Sequence, residues 1–145
     1  MTDTQINVSF QAREDAVRDA IDRLMTQLRP WGLDSDMAGT VELVIAEALN
    51  NVVEHAYANT SPPCPVHVAC ERQAGGVSIR IVDEGAEMPD GQLPMGLAPD
   101  VDVDLMDLPE GGFGWFLIRD LAQDVEYRRA GAQNVLNLRL DLALS

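Results

Sequence analysis

The chain contains no lysine: its ten basic residues are all arginine, against twenty-four Asp plus Glu, which leaves a formal charge of -14. Without lysine there is no Walker-type phosphate loop, whose lysine reaches the phosphates, and no Schiff-base chemistry. A nucleotide, if bound, must be held another way. The excess of acid repels nucleic-acid phosphates and anionic membrane surfaces, and it suits a protein partner with basic patches. Cysteine is scarce as well. Cys64 and Cys70 have five residues between them and no second ligand pair, which fits neither a zinc site nor a Cys-x-x-Cys redox motif, so both are expected to be reduced packing residues. No apolar run approaches the length of a membrane span. The start, Met1-Thr2-Asp3-Thr4, lacks the basic and apolar regions of a signal peptide, so a cytoplasmic location is expected.

What is present points to one globular domain over residues 1–145, with 46% apolar residues arranged in periodic segments. The richest stretch is 41–57. Val41, Val44, Ile45, Ala48, Leu49, Val52 and Ala56 recur at helical spacing and form an apolar stripe. Glu47, Asn51 and His55, four apart, follow one edge of it with a drift of about 40° from row to row. The adjacent asparagines Asn50 and Asn51 are mediocre helix formers, which calls for a polar task at this edge.

Around this helix the pattern is regular. Ile6, Val8 and Phe10 alternate with polar residues as in a half-buried strand. From Glu14 to Leu28 the positions Val17, Ala20, Ile21, Leu24, Met25 and Leu28 repeat at helical spacing, and Arg29-Pro30-Trp31-Gly32 ends that helix. Asp34, Ser35 or Asp36 can cap the next one. Val66, Val68 and Cys70, a Gln73-to-Gly76 turn, and Val77, Ile79 and Ile81 read as an antiparallel hairpin running to Asp83. A final hairpin is expected from Asp124 to Arg129 and Asn134 to Leu142, turning at residues 130–133.

Between the hairpins, residues 84–110 carry four prolines and many acids without periodicity, which predicts a lid. Asp100, Asp102 and Asp104 suggest calcium, but an EF-hand loop needs Gly at its sixth position and Glu at its twelfth, where this chain has Leu105 and Gly111. Gly111-Gly112-Phe113-Gly114 then opens a mostly apolar helix. Glycines at a helix start leave N–H groups accessible, and the dipole favours an anion there, so phosphate can sit without a lysine. The element order predicts an α/β (α+β) two-layer sandwich: a mixed, largely antiparallel sheet with about three helices on one face.

Taken together, Glu47-x-x-x-Asn51, Asp83-x-Gly85 and Gly112-x-Gly114 resemble the Bergerat ATP-binding fold of gyrase-type ATPases and histidine kinases. The longer strings at 47–57, Val82-Asp83-Glu84-Gly85, Gly111-Gly112-Phe113-Gly114 and Asp124-Val125-Glu126-Tyr127 are more similar to the single-domain anti-sigma-factor serine/threonine kinases of bacteria. That resemblance implies Mg-ATP as cofactor, Glu47 as general base, Asn51 as magnesium ligand, Asp83 and Gly85 at adenine, and Gly112 and Gly114 at the phosphates. It also implies a sigma factor and a STAS-type anti-anti-sigma protein as partners, and a homodimer. The residue types agree: a carboxylate can take a hydroxyl proton, an amide oxygen suits magnesium, and an acceptor-only Asp selects an amino group over a carbonyl. The chain departs from the wider fold at Glu87, where a second glycine is frequent. An inactive, nucleotide-dependent binding module is the alternative expectation; keeping both Glu47 and Asn51 favours a kinase.

Overall fold

The computed structural model describes residues 4–56, 64–85, 112–142 and 144. The lid expected at 84–110 lies outside them except for Glu84 and Gly85. Five strands and three α-helices follow in the order β1 (Gln5–Gln11), α1 (Glu14–Leu28), α2 (Ser35–Asn51), β2 (Pro65–Gln73), β3 (Gly76–Asp83), α3 (Gly112–Leu121), β4 (Gln123–Ala130) and β5 (Gln133–Asp141). The sheet order is β1-β2-β3-β5-β4, and every described pair is antiparallel.

The strand registers explain where the core lies. Ile6, Cys70, Ile79 and Leu138 stand side by side across four strands, and Val8, Val68, Ile81 and Leu136 form the next row. All eight are buried. Because side chains alternate between faces, these rows make one continuous apolar surface, onto which the helices pack. The opposite face carries Ser9, His67, Arg80 and Asn137; Ser9 Oγ and His67 Nδ1 are hydrogen-bonded there at 2.6 Å. Neither Cys64 nor Cys70 is in a disulfide. Burial pushes the Cys70 thiol up to about 12, which makes it an inert packing group, as its sequence context predicts.

The helices are built as their periodicity requires. Val17, Ala20, Ile21, Leu24, Met25 and Leu28 bury the inner face of α1, each of these side chains except the small Ala20 contributing about 1.5–3 kcal/mol relative to exposure. A single 3₁₀ turn at Arg29–Trp31 stops it. Gly32 takes φ 91 there, a left-handed conformation that suits glycine. The sequence break has a second use: Trp31 is 1% exposed and plugs the core beneath the turn. Of the three candidate caps, Asp34 fills the role, its Oδ1 accepting from the Met37 N–H at 2.8 Å. α1 packs on β1 and α2, and α2 packs on α3.

Candidate nucleotide site

Among the described residues three buried polar side chains, Asn51, Asp83 and Asn134, interrupt the apolar surfaces of the two layers. The first is Asn51, at the last position of α2. The helix buries Val41, Val44, Ile45, Ala48 and Leu49, and the same stripe carries Asn51 to 2% exposure while its neighbour Asn50 stays exposed. The Asn51 Nδ2 is buried without a hydrogen-bond partner among the described residues. An unsatisfied buried donor costs about 1–3 kcal/mol, so this amide is suited to a ligand that brings an acceptor. Glu47, one turn earlier on the same edge, is half-buried. The sequence places His55 in register with both by continuing the α-helix through Tyr57. Instead α2 ends at Asn51, and Val52–Ala56 forms a π-helical turn, which widens the repeat and takes residue 55 off the i,i+4 line.

The second is Asp83, which ends the core-facing series Val77, Ile79, Ile81 of β3 and is 4% exposed. It belongs to a third lateral row: Phe10, Val66, Asp83, Asn134 and Arg129 stand side by side across all five strands. The row is apolar on β1 and β2 and polar on β3, β5 and β4. Asp83 Oδ1 accepts from the Gly85 N–H at 2.8 Å and from Asn134 Nδ2 at 2.9 Å. Its other oxygen has no hydrogen bond among the described residues. Burial raises the Asp83 pKa, opposed by the Asn134 and Gly85 hydrogen bonds and by the Arg129 charge. Gly85 is therefore placed directly by Asp83, while its carbonyl accepts from Arg129 at 2.7 Å and from Asn134 Nδ2 at 3.3 Å.

Gly112 and Gly114 lie in the first turn of α3, which begins at Gly112, earlier than the apolar run alone suggests. The first four N–H groups of an α-helix lack intrahelical acceptors, and the dipole there is positive, so this turn has the chemistry to receive an anion. Since α3 packs against α2, it begins on an element adjoining the one that carries Glu47 and Asn51. Among the described residues there is no cluster of three or more His, Cys, Asp or Glu able to hold a metal by itself. Magnesium held by one amide and by substrate phosphates needs no such cluster. The residue set thus suits Mg-ATP: an amide whose unsatisfied N–H can meet a phosphate oxygen, a carboxylate with one oxygen that takes no hydrogen bond among the described residues, and a glycine-rich helix start.

Sequence reasoning singles out Asp83 and Gly85 but misses Asn134, Tyr127 and Arg129, which surround them. Alternation along β4 does put Tyr127 and Arg129 on one face. What brings that face to Asp83 is the β3–β5 register, which pairs residues about fifty positions apart and leaves no local signal.

A family profile described as Histidine kinase-like ATPase domain matches residues 10–140. The serine/threonine-protein kinase BtrW of Bordetella bronchiseptica is 33% identical over 99 residues, covering 68% of this chain and 67% of BtrW. Among solved structures, the RsbU and RsbW domains of Rv1364c from Mycobacterium tuberculosis align over 95% of this chain at 18% identity with a TM-score of 0.62; the chain spans 32% of that protein. The histidine kinase domain of the blue-light-activated kinase EL346 from Erythrobacter litoralis aligns over 87% of this chain and 61% of its own length, at 17% identity and a TM-score of 0.52. These two likenesses agree with the two-layer architecture described above.

Proposed function

The chain belongs to the histidine kinase-like ATPase domain family, and from that membership we propose that it is an anti-sigma regulatory factor. On this reading it binds a sigma factor and uses Mg-ATP to phosphorylate a serine or threonine of a STAS-type anti-anti-sigma protein. The observation that carries the reading is the pairing on α2 of half-buried Glu47 with a fully buried Asn51 whose amide nitrogen is unsatisfied, in a chain related to a serine/threonine-protein kinase. A helix that only packed on the core would have no use for that buried amide.

The roles follow from residue chemistry. Asp83 accepts a hydrogen bond from the adenine amino group, and Gly85 leaves room for the base to approach. The first turn of α3, with Gly112 and Gly114, receives phosphate oxygens on its N–H groups. Asn51 would hold magnesium through its amide oxygen, and the ion would supply the neutralisation of phosphate charge that no lysine provides here. Glu47 takes the proton of the partner's hydroxyl as that oxygen bonds the γ-phosphorus and the bond to the ADP oxygen breaks. A homodimer and a cytoplasmic setting belong to the same reading.

The test is transfer from labelled ATP, with magnesium, to candidate antagonist proteins. Wild type should label a serine or threonine, and Glu47→Gln should lower the rate by roughly 10²–10⁴ while ATP affinity stays unchanged, as loss of a general base requires. An unaffected Glu47→Gln variant would make Glu47 a mere helix-surface charge. ATP binding by wild type with no transfer to any antagonist would leave an inactive, nucleotide-dependent binding module.

A further inference from the structure

The side chains behind Asp83 form a chain of hydrogen bonds with a fixed direction. Asn134 Oδ1 accepts twice, from the Tyr127 hydroxyl at 2.5 Å and from Arg129 Nη1 at 3.0 Å. Its Nδ2 donates twice, to Asp83 Oδ1 and to the Gly85 carbonyl. Reversing the amide would set its oxygen against a carboxylate and a carbonyl, and its NH₂ against a guanidinium. Both ends therefore forbid the flip. Arg129 is oriented in turn: its Nε donates to the Gly131 carbonyl at 3.1 Å, in the β4–β5 turn, while Nη1 reaches across to Gly85. A planar guanidinium held at two edges has little freedom left.

We propose that Tyr127, Arg129 and Asn134 are positioning residues that set the purine selectivity of the site by fixing which oxygen of Asp83 faces the base. With Oδ1 committed to Gly85 and Asn134, Oδ2 is the oxygen left to accept a ligand proton, and the Asp83 plane is set before the base arrives. The Gly85 carbonyl is held by Arg129 and Asn134, so Gly85 and the carboxylate are fixed as one unit. A polar group already aligned makes its ligand hydrogen bond without the ordering cost that a mobile one carries. Without the clamp the Asn134 oxygen loses the two donors that anchor it, the amide and Asp83 gain rotational freedom together, and the acceptor is less firmly directed at an amino group.

This inference rests on the nucleotide reading, and the experiment separates the two. Binding of Mg-ATP and of Mg-purine riboside triphosphate, which has hydrogen in place of the 6-amino group, is measured by titration calorimetry. The proteins are wild type, Tyr127→Phe/Arg129→Met and Tyr127→Phe/Arg129→Lys. Wild type should prefer ATP by about tenfold to a hundredfold, the worth of a hydrogen bond to a charged acceptor. In the Met double variant that preference should fall by about tenfold, through weaker ATP binding alone, with purine riboside triphosphate affinity unchanged. The Lys variant, which keeps a cationic donor near the Gly85 carbonyl, should recover part of it. General damage to the fold would weaken both nucleotides equally, so a parallel loss, or an undiminished preference in the Met variant, overturns the positioning role while the nucleotide site stands. Wild type that binds neither nucleotide overturns both.

Discussion

Asp83 shows how a residue can be costly to the empty fold and useful to a ligand. Its pKa is raised, with burial as the largest cause, so folding favours the protonated form. Stability from this group is therefore fully present below the unfolded value near 3.8 and is lost as pH rises through the folded pKa. Asp83→Asn keeps the acceptor for Gly85 and Asn134 but removes the buried charge. The variant should match wild type in urea midpoint below pH 3.8 and exceed it increasingly towards neutral pH, while ATP affinity falls by about tenfold to a hundredfold because the free oxygen becomes a donor. A variant that loses stability at neutral pH would show that the hydrogen bonds of the ionised carboxylate outweigh its desolvation. Asp83 is legible as a site residue through the resemblance of Asp83-x-Gly85, taken with Glu47-x-x-x-Asn51 and Gly112-x-Gly114, to the Bergerat fold. Its partners are not, since Asn134 reads as an ordinary first residue of a leucine-rich strand.

At the scale of elements, local pattern and tertiary register contributed different things. The bounds of α1 follow directly from its apolar period, and both hairpins follow from alternation and turn glycines. The end of α2 does not, because a π turn preserves a nearly helical hydrophobic spacing while changing which residues align. The sheet edge is also set by tertiary context: among the described strands β4 pairs with β5 alone, and its register shifts between Gln123 and Glu126. At that irregularity Asp124 takes φ 51 and its carboxylate meets Arg139 at 3.2 Å. Close strand approach gives one position a strict requirement. A Cβ at Gly76 would lie 2.0 Å from the Leu140 carbonyl oxygen, a backbone atom of β5 that cannot swing away. Gly76→Ala should therefore destabilise by about 1–3 kcal/mol, read as a lower urea midpoint. An unchanged midpoint would mean that β3 and β5 can separate there at no cost, contrary to the continuous ladder on which the Asp83–Asn134 pairing depends.

For the whole molecule, the arrangement amounts to an apolar two-layer body whose buried polar exceptions, among the described residues, are divided between the layers: Asn51 in the helical layer, and Asp83 and Asn134 in the sheet. On the proposed reading, a chain with a formal charge of -14 and no lysine would have to offset triphosphate charge with magnesium, helix N–H groups and arginine, and nucleotide binding would then depend strongly on the divalent ion. The central claim is that the folded chain binds an adenine nucleotide in this way, and thermal melting tests it most directly. A ligand that binds only the folded state, at about a hundred times its Kd, adds about 2.7 kcal/mol and raises the Tm of a domain this size by about 5–10 °C. The account predicts that rise with ATP plus magnesium, a much smaller one with ATP plus EDTA, and none with GTP plus magnesium; no rise at millimolar ATP plus magnesium would contradict it.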